Sequence, residues 1–327
     1  MPSLRTKSPC ELSTASVACS NAFFAMYAVN PLSQHQLPAF AGLAFPQMRM
    51  QLRTGTAAED VIAIGASVFG APVGLLLAQL RSGKPAEVKS VVVAREHRRI
   101  GIATCLFEAL EQELGERACL SASMVCFSRV QPRLAIEGLL RKSGWTPLEA
   151  RGMCCATEFP LISQAPWMRY RQLPAGFESR LWSALDNEQH SYVVESQRRH
   201  PWYPEVLSPF VDGHDVETDT SLALIHSGEV VGWCMFHRVN DGATQCKSLF
   251  VRQELQNRGV AIALLVRAIE LHRNLRRQTF LFDVSFDKVK MIRFVERRML
   301  PYLKSVWTIS RSSKRFNGEP SRSRVAA

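Results

Sequence analysis

Two short segments of the sequence combine small residues with basic or amide side chains in the same pattern. The segment REHRRIGIAT spans residues 95–104, and QELQNRGVAI spans residues 253–262. Each follows an apolar run and precedes a run with helical spacing, so each is predicted to carry the chain from a strand into a helix. The first N–H groups of a helix lack partners within the helix and lie at the positive end of its dipole. Such a turn can therefore bind an anionic group.

Small residues keep this predicted turn open to a ligand. Gly101 and Gly259 carry no side chain that would block a pyrophosphate, and an alanine follows two residues later in both segments. Guanidinium groups beside the turn would add charge-assisted hydrogen bonds to phosphate oxygens; they belong to Arg98, Arg99 and Arg258. Neither segment has the glycine spacing of a dinucleotide-binding fingerprint or of a P-loop. A plain helix start is the alternative for one segment alone, and the second occurrence favours anion binding.

The two segments belong to an internal repeat. A shift of 158 positions, which brings residue 95 onto residue 253, aligns residues 69–80 with 227–238 and residues 87–107 with 245–265 without a gap. Identical pairs include Gly74/Gly232, Lys89/Lys247, Ser90/Ser248, Val93/Val251, Gly101/Gly259 and Ala103/Ala261. An ungapped match of this length indicates two copies of one domain.

Hydrophobic periodicity predicts the same order of elements in both copies. Two strands joined by a tight hairpin come first, followed by a third strand, the glycine turn, a helix, a strand, a second helix and a last strand. This order predicts a mixed α/β sheet, preceded in each copy by a more helical stretch, at residues 33–52 and 174–209. We expect an N-terminal domain over residues 21–162 and a C-terminal domain over 163–310. A flexible leader (1–20) and a basic disordered tail (311–327) would flank them.

The motif Arg/Gln-x-x-Gly-x-Ala, with a valine five residues before it, resembles the acetyl-CoA signature of the GNAT N-acetyltransferase superfamily. The predicted order of strands and helices resembles that fold as well, over most of residues 61–159 and 219–310. The resemblance implies two tandem GNAT-like domains with acetyl-CoA as co-substrate. It also implies that two neighbouring strands splay apart, and that an amine attacks the thioester directly in the gap.

The same resemblance implies which residues would hold the co-substrate. The pyrophosphate would lie on backbone amides of the two turns, and the pantetheine arm would pair with the preceding strand. A strand N–H at Val93 or Val251 would polarise the thioester carbonyl. The implied cofactor-binding residues are Val91, Val93, Arg98, Arg99, Gly101, Ile102 and Ala103 in the first copy, and Leu249, Val251, Gln256, Arg258, Gly259, Val260 and Ala261 in the second.

Candidate catalytic groups differ between the two copies. Members of the superfamily often carry a tyrosine on the last helix as the thiolate acid, but Leu140 and Val295 occupy that position here. Ser285, Tyr302 or solvent are the alternative donors. For the general base, Glu87 lies on the third predicted strand of the first copy, whereas Gln245 stands at the equivalent position of the second. The second copy offers Asp283 and Asp287 instead, and for each carboxylate taken singly a surface ion pair is the favoured interpretation.

The composition limits the remaining possibilities. The 327 residues include no uncharged apolar segment of about 18 residues, so no membrane span is expected. The nine cysteines have no regular spacing, which favours free thiols in a reducing compartment, the cytoplasm, over disulfides or a metal site. The net charge of +11 includes five basic and one acidic residue in the final 17 positions. Nucleic-acid binding through this tail is therefore a weak alternative.

The sequence thus predicts an acyl-CoA-dependent N-acetyltransferase that acts on an amine-bearing small molecule or peptide. The second copy is favoured as the active one because Asp283 and the aromatic side chains of Trp202, Tyr203 and Phe210 give it more candidate chemistry. Those aromatic residues would either line the acceptor site or cover the sheet. A non-catalytic CoA-binding or regulatory module, and an acetyltransferase of protein or RNA amines, stay open as alternatives.

Overall fold

The computed structural model of the protein describes residues 26–54, 60–81, 83–128, 133–210, 216–275 and 279–316. The predicted leader therefore lies outside the described residues. The chain divides into two compact units. Unit 1 comprises residues within 1–125, 134–148 and 311–327, and unit 2 comprises residues within 126–133 and 149–310.

Unit 1 is a mixed sheet in which each strand pairs with the next along the chain. The strands are β1 (Tyr27–Pro31), β2 (Val61–Val68), β3 (Ala71–Arg81), β4 (Lys84–Val93) and β5 (Ser121–Ser128), the last of which enters unit 2 after Val125. Pairing is antiparallel from β1 to β4 and parallel between β4 and β5. The helices are α1 (Leu37–Phe40), α2 (Pro46–Arg53), α3 (Ile102–Glu116) and α4 (Arg133–Lys142).

Unit 2 repeats this order. Its elements are β6 (Glu149–Glu158), α5 (Phe159–Ile162), β7 (Phe177–Leu181), α6 (Asn187–Arg199), β8 (Leu222–His226), β9 (Glu229–Asn240), β10 (Ala243–Val251), α7 (Val260–Leu271), β11 (Thr279–Ser285) and α8 (Val289–Phe294). The strands are ordered β6-β11-β10-β9-β8-β7, and β10 and β11 are parallel. A π-helical turn over residues 295–299 follows α8, so the second helix predicted here ends differently from a regular α-helix.

The repeat is visible in the backbone at its tightest turns. Phe69 and Gly70 join β2 to β3 with φ values of 48° and 80°, and Ser227 and Gly228 join β8 to β9 with φ values of 51° and 83°. Two consecutive residues with positive φ are characteristic of the hairpin turns whose twist matches that of the flanking strands. The predicted hairpins, third strands and glycine-turn helices are therefore confirmed in both copies.

The last strand of each sequence copy does not lie wholly in the compact unit that contains the rest of that copy. Strand β6 ends the first copy in sequence, but it lies in unit 2, where it pairs antiparallel with β11. The final strand, β12 (Ser305–Arg315), leaves unit 2 after Ser310, and its remaining residues lie in unit 1. The compact units therefore differ in their boundaries from the sequence copies, and the boundary between copies at residues 162/163 stays a prediction.

The predicted tail begins later than expected, because β12 continues through Arg315. Within unit 1, the Ser312 hydroxyl donates to the Thr146 carbonyl at 2.7 Å, and the Ser313 N–H donates to the Thr146 hydroxyl at 2.9 Å. Lys314 reaches the Glu111 carboxylate at 2.6 Å. Residues 311–315 are thus part of a strand, and residues 317–327 lie outside the described part of the chain.

Candidate acyl-CoA site

The parallel strands of each unit separate after a short stretch of pairing. In unit 1 the register between β4 and β5 covers residues 86–88 and 122–124, and in unit 2 that between β10 and β11 covers residues 243–246 and 279–282. The next residue, Lys89 or Lys247, is the extra residue of a β-bulge against the antiparallel neighbour. A bulge bends its strand and increases the local twist. The two strands therefore fork at the same position in both copies.

The predicted co-substrate residues on the strands lie beyond this fork. Val91 and Val93 in unit 1, and Leu249 and Val251 in unit 2, keep their antiparallel partners on β3 and β9. No parallel partner is present for them in the described registers. Their other backbone edge therefore faces the gap, which is where the resemblance places the pantetheine arm.

The turn after each strand is built by two residues with positive φ. Arg99 and Gly101 have φ values of 64° and 97°, and Asn257 and Gly259 have values of 64° and 75°. Each glycine is the N-cap of the following helix and provides no side-chain cap, so the first N–H groups of α3 and α7 lack the usual hydroxyl or carboxylate acceptor. A Cβ atom built on Gly259 would have no neighbour within 4 Å. The turn of unit 2 is therefore an open concavity lined by backbone donors, as a pyrophosphate requires.

Arg98 and Gln256 hold the turn against the strand by equivalent hydrogen bonds. The Arg98 Nε donates to the Val93 carbonyl at 2.9 Å, and the Gln256 Nε2 donates to the Val251 carbonyl at 2.8 Å. The same hydrogen bond thus closes both turns, although one side chain is charged and the other neutral. A phosphate contact through the remaining N–H groups of the exposed Arg98 guanidinium stays a prediction. Arg99 and Arg258 are exposed beside their glycines.

The remaining positions of the motif present their backbone to the turn. Ile102 and Val260, the first helical residues, are almost fully buried, and Ala103 and Ala261 are half-buried. The side chains of Ile102 and Val260 are buried in the core, whereas the backbone N–H groups of these two residues lie at the start of the helix. The motif therefore offers its ligand main-chain donors, and the side chains at these positions serve packing.

The predicted base of unit 1 has a cationic partner. Glu87 forms an ion pair with Lys89 at 2.7 Å. Lys89 is the bulge residue, so the strand irregularity itself brings the ammonium group beside the carboxylate.

The predicted base of unit 2 is held by neutral donors. Gln245 occupies the position of Glu87 and donates from Nε2 to the Asp283 carboxylate at 2.9 Å. Cys154 lies directly opposite Asp283 on β6. Burial, and then the hydrogen bond to Asp283, raise the pKa of the Cys154 thiol, which is therefore a protonated donor. No ion pair to Asp283 occurs within the described ranges.

Sequence reasoning had set Gln245 aside because an amide cannot act as a base, and it missed Cys154. Their importance lies in their contacts with Asp283, which is on the neighbouring strand β11. The exchange of Glu87 for Gln245 between the copies was the one available signal.

The other predicted proton donors are engaged elsewhere. The Ser285 hydroxyl donates to the Arg151 carbonyl at 3.2 Å, and the Tyr302 side chain packs against the hydrophobic core that α7 and α8 share. Leu140 and Val295, at the position of the family tyrosine, are both fully buried. Neither unit therefore presents a phenol at that position.

The aromatic side chains of unit 2 form a core cluster. Tyr203 is 7% exposed, and its ring lies 4.9 Å from that of Trp233, while Trp202 packs against Trp233 and Phe250. Phe210 is 41% exposed and contacts Trp182. Of the two interpretations, covering the sheet describes the buried Tyr203, whereas the half-buried Trp202 and the exposed Phe210 retain surface that a ligand could contact.

Two general features complete the description of the site. Among residues 26–316 as far as they are described, no group of three or more His, Cys, Asp or Glu side chains is arranged to hold a metal ion. No helix of the described segments has both the length and the apolar character that a membrane span requires.

Comparison with known proteins follows the same division of the chain. The Acetyltransferase (GNAT) family model matches residues 32–135 and 173–299, together more than half of the chain. No curated protein matches significantly. A tandem GNAT protein from the clavulanic acid biosynthesis pathway superposes with a TM-score of 0.65 at 17% identity, covering 90% of this chain and 100% of the other. A GCN5-related N-acetyltransferase from Sphaerobacter thermophilus gives 0.60 at 19% identity, covering 90% and 97%. These similarities are to the fold, and the family match shows that the chain belongs to the GNAT acetyltransferase family, as a tandem member.

Proposed function

We propose that this protein is an acyl-CoA-dependent N-acetyltransferase that transfers acetyl from acetyl-CoA to an amine, with unit 2 as the catalytic unit. The observation that carries this proposal is the carboxylate of Asp283, held beyond the fork of unit 2 by the Gln245 amide and the Cys154 thiol. Both donors are neutral. Its counterpart Glu87 is paired with a lysine.

The two glycine turns are the proposed sites for the pyrophosphate of CoA. In unit 2 the ligand would contact main-chain N–H groups at Gly259, Val260 and Ala261, with the exposed guanidinium of Arg258 beside them. In unit 1 the equivalent donors are at Gly101, Ile102 and Ala103, next to Arg99. The pantetheine arm would pair with the free edge of β10 at Leu249 and Val251, or of β4 at Val91 and Val93.

The transfer itself is a direct displacement. The amine nitrogen attacks the thioester carbonyl carbon, the carbon–sulfur bond breaks, and the products are an amide and the CoA thiol. Asp283 takes the proton that the nitrogen loses, directly or through a water molecule. We assign the proton taken up by the thiolate to solvent, because the Ser285 hydroxyl already donates to the Arg151 carbonyl and Tyr302 packs on the core.

A non-catalytic CoA-binding module is the second candidate. The burial of Leu140 and Val295 favours it, since neither unit offers the thiolate acid that the family commonly uses. Acceptors in protein or RNA stay open under the first proposal. The described cysteines are all free thiols, which supports the predicted reducing compartment, the cytoplasm.

One assay separates these candidates. Release of the CoA thiol is followed with acetyl-CoA and a panel of small amines, polyamines, amino acids and peptides. The proposal expects turnover with at least one class of amine, and a decrease of kcat by about 100-fold or more in the Asp283→Asn variant. Binding of acetyl-CoA without turnover on the whole panel would support the non-catalytic module. Equal activity of the wild type and Asp283→Asn would remove Asp283 from the mechanism.

A further inference from the structure

Ser90 and Ser248 occupy the same position in the two copies, directly after the bulge. Their hydroxyl oxygens are buried, and neither has a hydrogen-bond partner within the described residues. The side chains are 2% and 4% exposed. A buried hydroxyl without a partner destabilises a protein. The same unpartnered hydroxyl at one position of both copies therefore points to a hydrogen-bond partner outside the chain.

The position of the two serines places them at the fork. The parallel register ends at Val88 in unit 1 and at Cys246 in unit 2, and one bulge residue separates each from its serine. Each serine is therefore the first regularly paired residue after the strands have separated. Ser248 lies opposite Met235, and Ser90 lies opposite Leu77, in the antiparallel register.

Ser90 and Ser248 lie on equivalent faces of the sheets in their units. Leu77 belongs to the core beneath α1 and α2, and Met235 belongs to the aromatic core beneath α6. Directly opposed residues of an antiparallel pair share a face. In unit 2 the register also places Gln245, opposite His237, on the face of Ser248, and Gln245 binds Asp283. The hydroxyl and the proposed base therefore lie on one side of the fork.

We infer that the hydroxyls of Ser90 and Ser248 donate a hydrogen bond to the acyl carbonyl oxygen of bound acyl-CoA. This inference rests on the proposed function. The acyl group is the favoured partner because the two copies share the fork and the glycine turn, whereas their carboxylates differ. A donor common to both copies therefore matches the ligand common to both. Ser248 would be a positioning and polarising residue in catalysis, and Ser90 an acyl-recognition residue.

The test compares acetyl-CoA with free CoA, which lacks the carbonyl. Affinities are measured by calorimetry for Ser248→Ala in a chain that also carries Gly101→Glu. The second substitution should block the glycine turn of unit 1, so that the titration measures binding at the glycine turn of unit 2 alone. We expect the affinity for acetyl-CoA to fall about fivefold, the size of one neutral hydrogen bond, and the affinity for free CoA to stay nearly unchanged. Ser90→Ala combined with Gly259→Glu gives the same reading for unit 1.

Ser221→Ala is the matched control, because the Ser221 hydroxyl is also buried in unit 2 but is bonded to the Phe236 N–H at 3.0 Å and carbonyl at 3.2 Å. It should lower the melting temperature and leave the ratio of the two affinities unchanged. Ser248→Ala should raise the melting temperature of the ligand-free protein, because it removes an unsatisfied group.

The outcomes separate the inference from the proposed function. Equal losses for acetyl-CoA and free CoA, no loss for either, or a lower melting temperature in Ser248→Ala would overturn the inference and leave the proposed function standing. A wild-type chain that binds neither acetyl-CoA nor CoA would refute the proposed function and the inference with it.

Discussion

Replacement of Gly259 by glutamate is the sharpest test of the cradle of unit 2, the glycine turn at residues 256–261 that we propose binds the anion. The substitution places a side chain at φ +75°, a left-handed conformation that costs a non-glycine residue about 1–2 kcal/mol. Nothing lies within 4 Å of the added Cβ, so the protein should still fold. The expected loss of melting temperature is about 2–8 °C for a domain of this size.

The effect on the ligand comes from charge and from space. A carboxylate about 4 Å from one phosphate charge repels it by about 4 kcal/mol at an effective dielectric constant of 20. Solvent screening at an exposed turn reduces this to about 1–2 kcal/mol, which corresponds to about tenfold in affinity. Steric exclusion from the turn adds to that loss. We therefore expect the affinity for acetyl-CoA at this site to fall at least tenfold.

Gly228→Glu is the control for strain and charge. Gly228 lies in the β8–β9 hairpin of the same unit, has φ +83°, and also has no neighbour within 4 Å of an added Cβ. Both variants are made in a chain that also carries Gly101→Glu in unit 1. Calorimetric titration with acetyl-CoA then measures the affinity of the unit 2 site alone. Equal affinities for the two variants would refute the cradle, whatever their melting temperatures.

Three further predictions concern stability and catalysis. His272 is buried between Phe236 and Phe280, and desolvation lowers its pKa to about 4. Below pH 6.5 the histidine is protonated in the unfolded chain, but in the native state it stays neutral until about pH 4. Between these two pH values the free energy of unfolding should therefore fall by about 1.4 kcal/mol per pH unit. A His272→Leu variant should lack this slope in acid denaturation. A chain that ends after Ser310 loses the contact between Lys314 and Glu111 and should melt several degrees lower than a chain that ends after Phe316. In steady-state assays Gln245→Ala should lower kcat about fivefold, because one hydrogen bond that orients the base is lost; an unchanged kcat would contradict that role.

Much of the fold follows from local patterns in the sequence. The hairpins, third strands and helices of both copies have strong periodicity and glycine at the required turn positions. The short strands β1 and β7 were not predicted. β1 and β7 stand at the ends of the strand order and have few buried residues, so their sequences carry no continuous apolar run.

The assignment of the last strands could not be predicted from the sequence. The alternating burial of β6 suits any neighbouring strand, and its pairing with β11 is a long-range choice of register. The repeat suggested that each copy would keep its own last strand, because similarity between copies reports ancestry and local structure. It does not report which compact unit a strand completes.

The site divides in the same way. The backbone of the two glycine turns was predictable, because small residues at fixed spacing after a strand favour the conformation found there. The environment of Asp283 was not, since Gln245 and Cys154 reach it from two other strands. The hydrogen bonds of Arg98 to Val93 and of Gln256 to Val251 were also hidden, because they depend on the folded turn.

The number of CoA molecules bound per chain tests the central claim most directly. Native mass spectrometry of the wild type with acetyl-CoA should show up to two ligands per chain, because both turns have the same backbone and the same closing hydrogen bond. Gly101→Glu and Gly259→Glu should each retain one ligand, and the double variant none. A wild type that binds no acetyl-CoA, or a double variant that binds it as the wild type does, would contradict the assignment of these turns as acyl-CoA cradles.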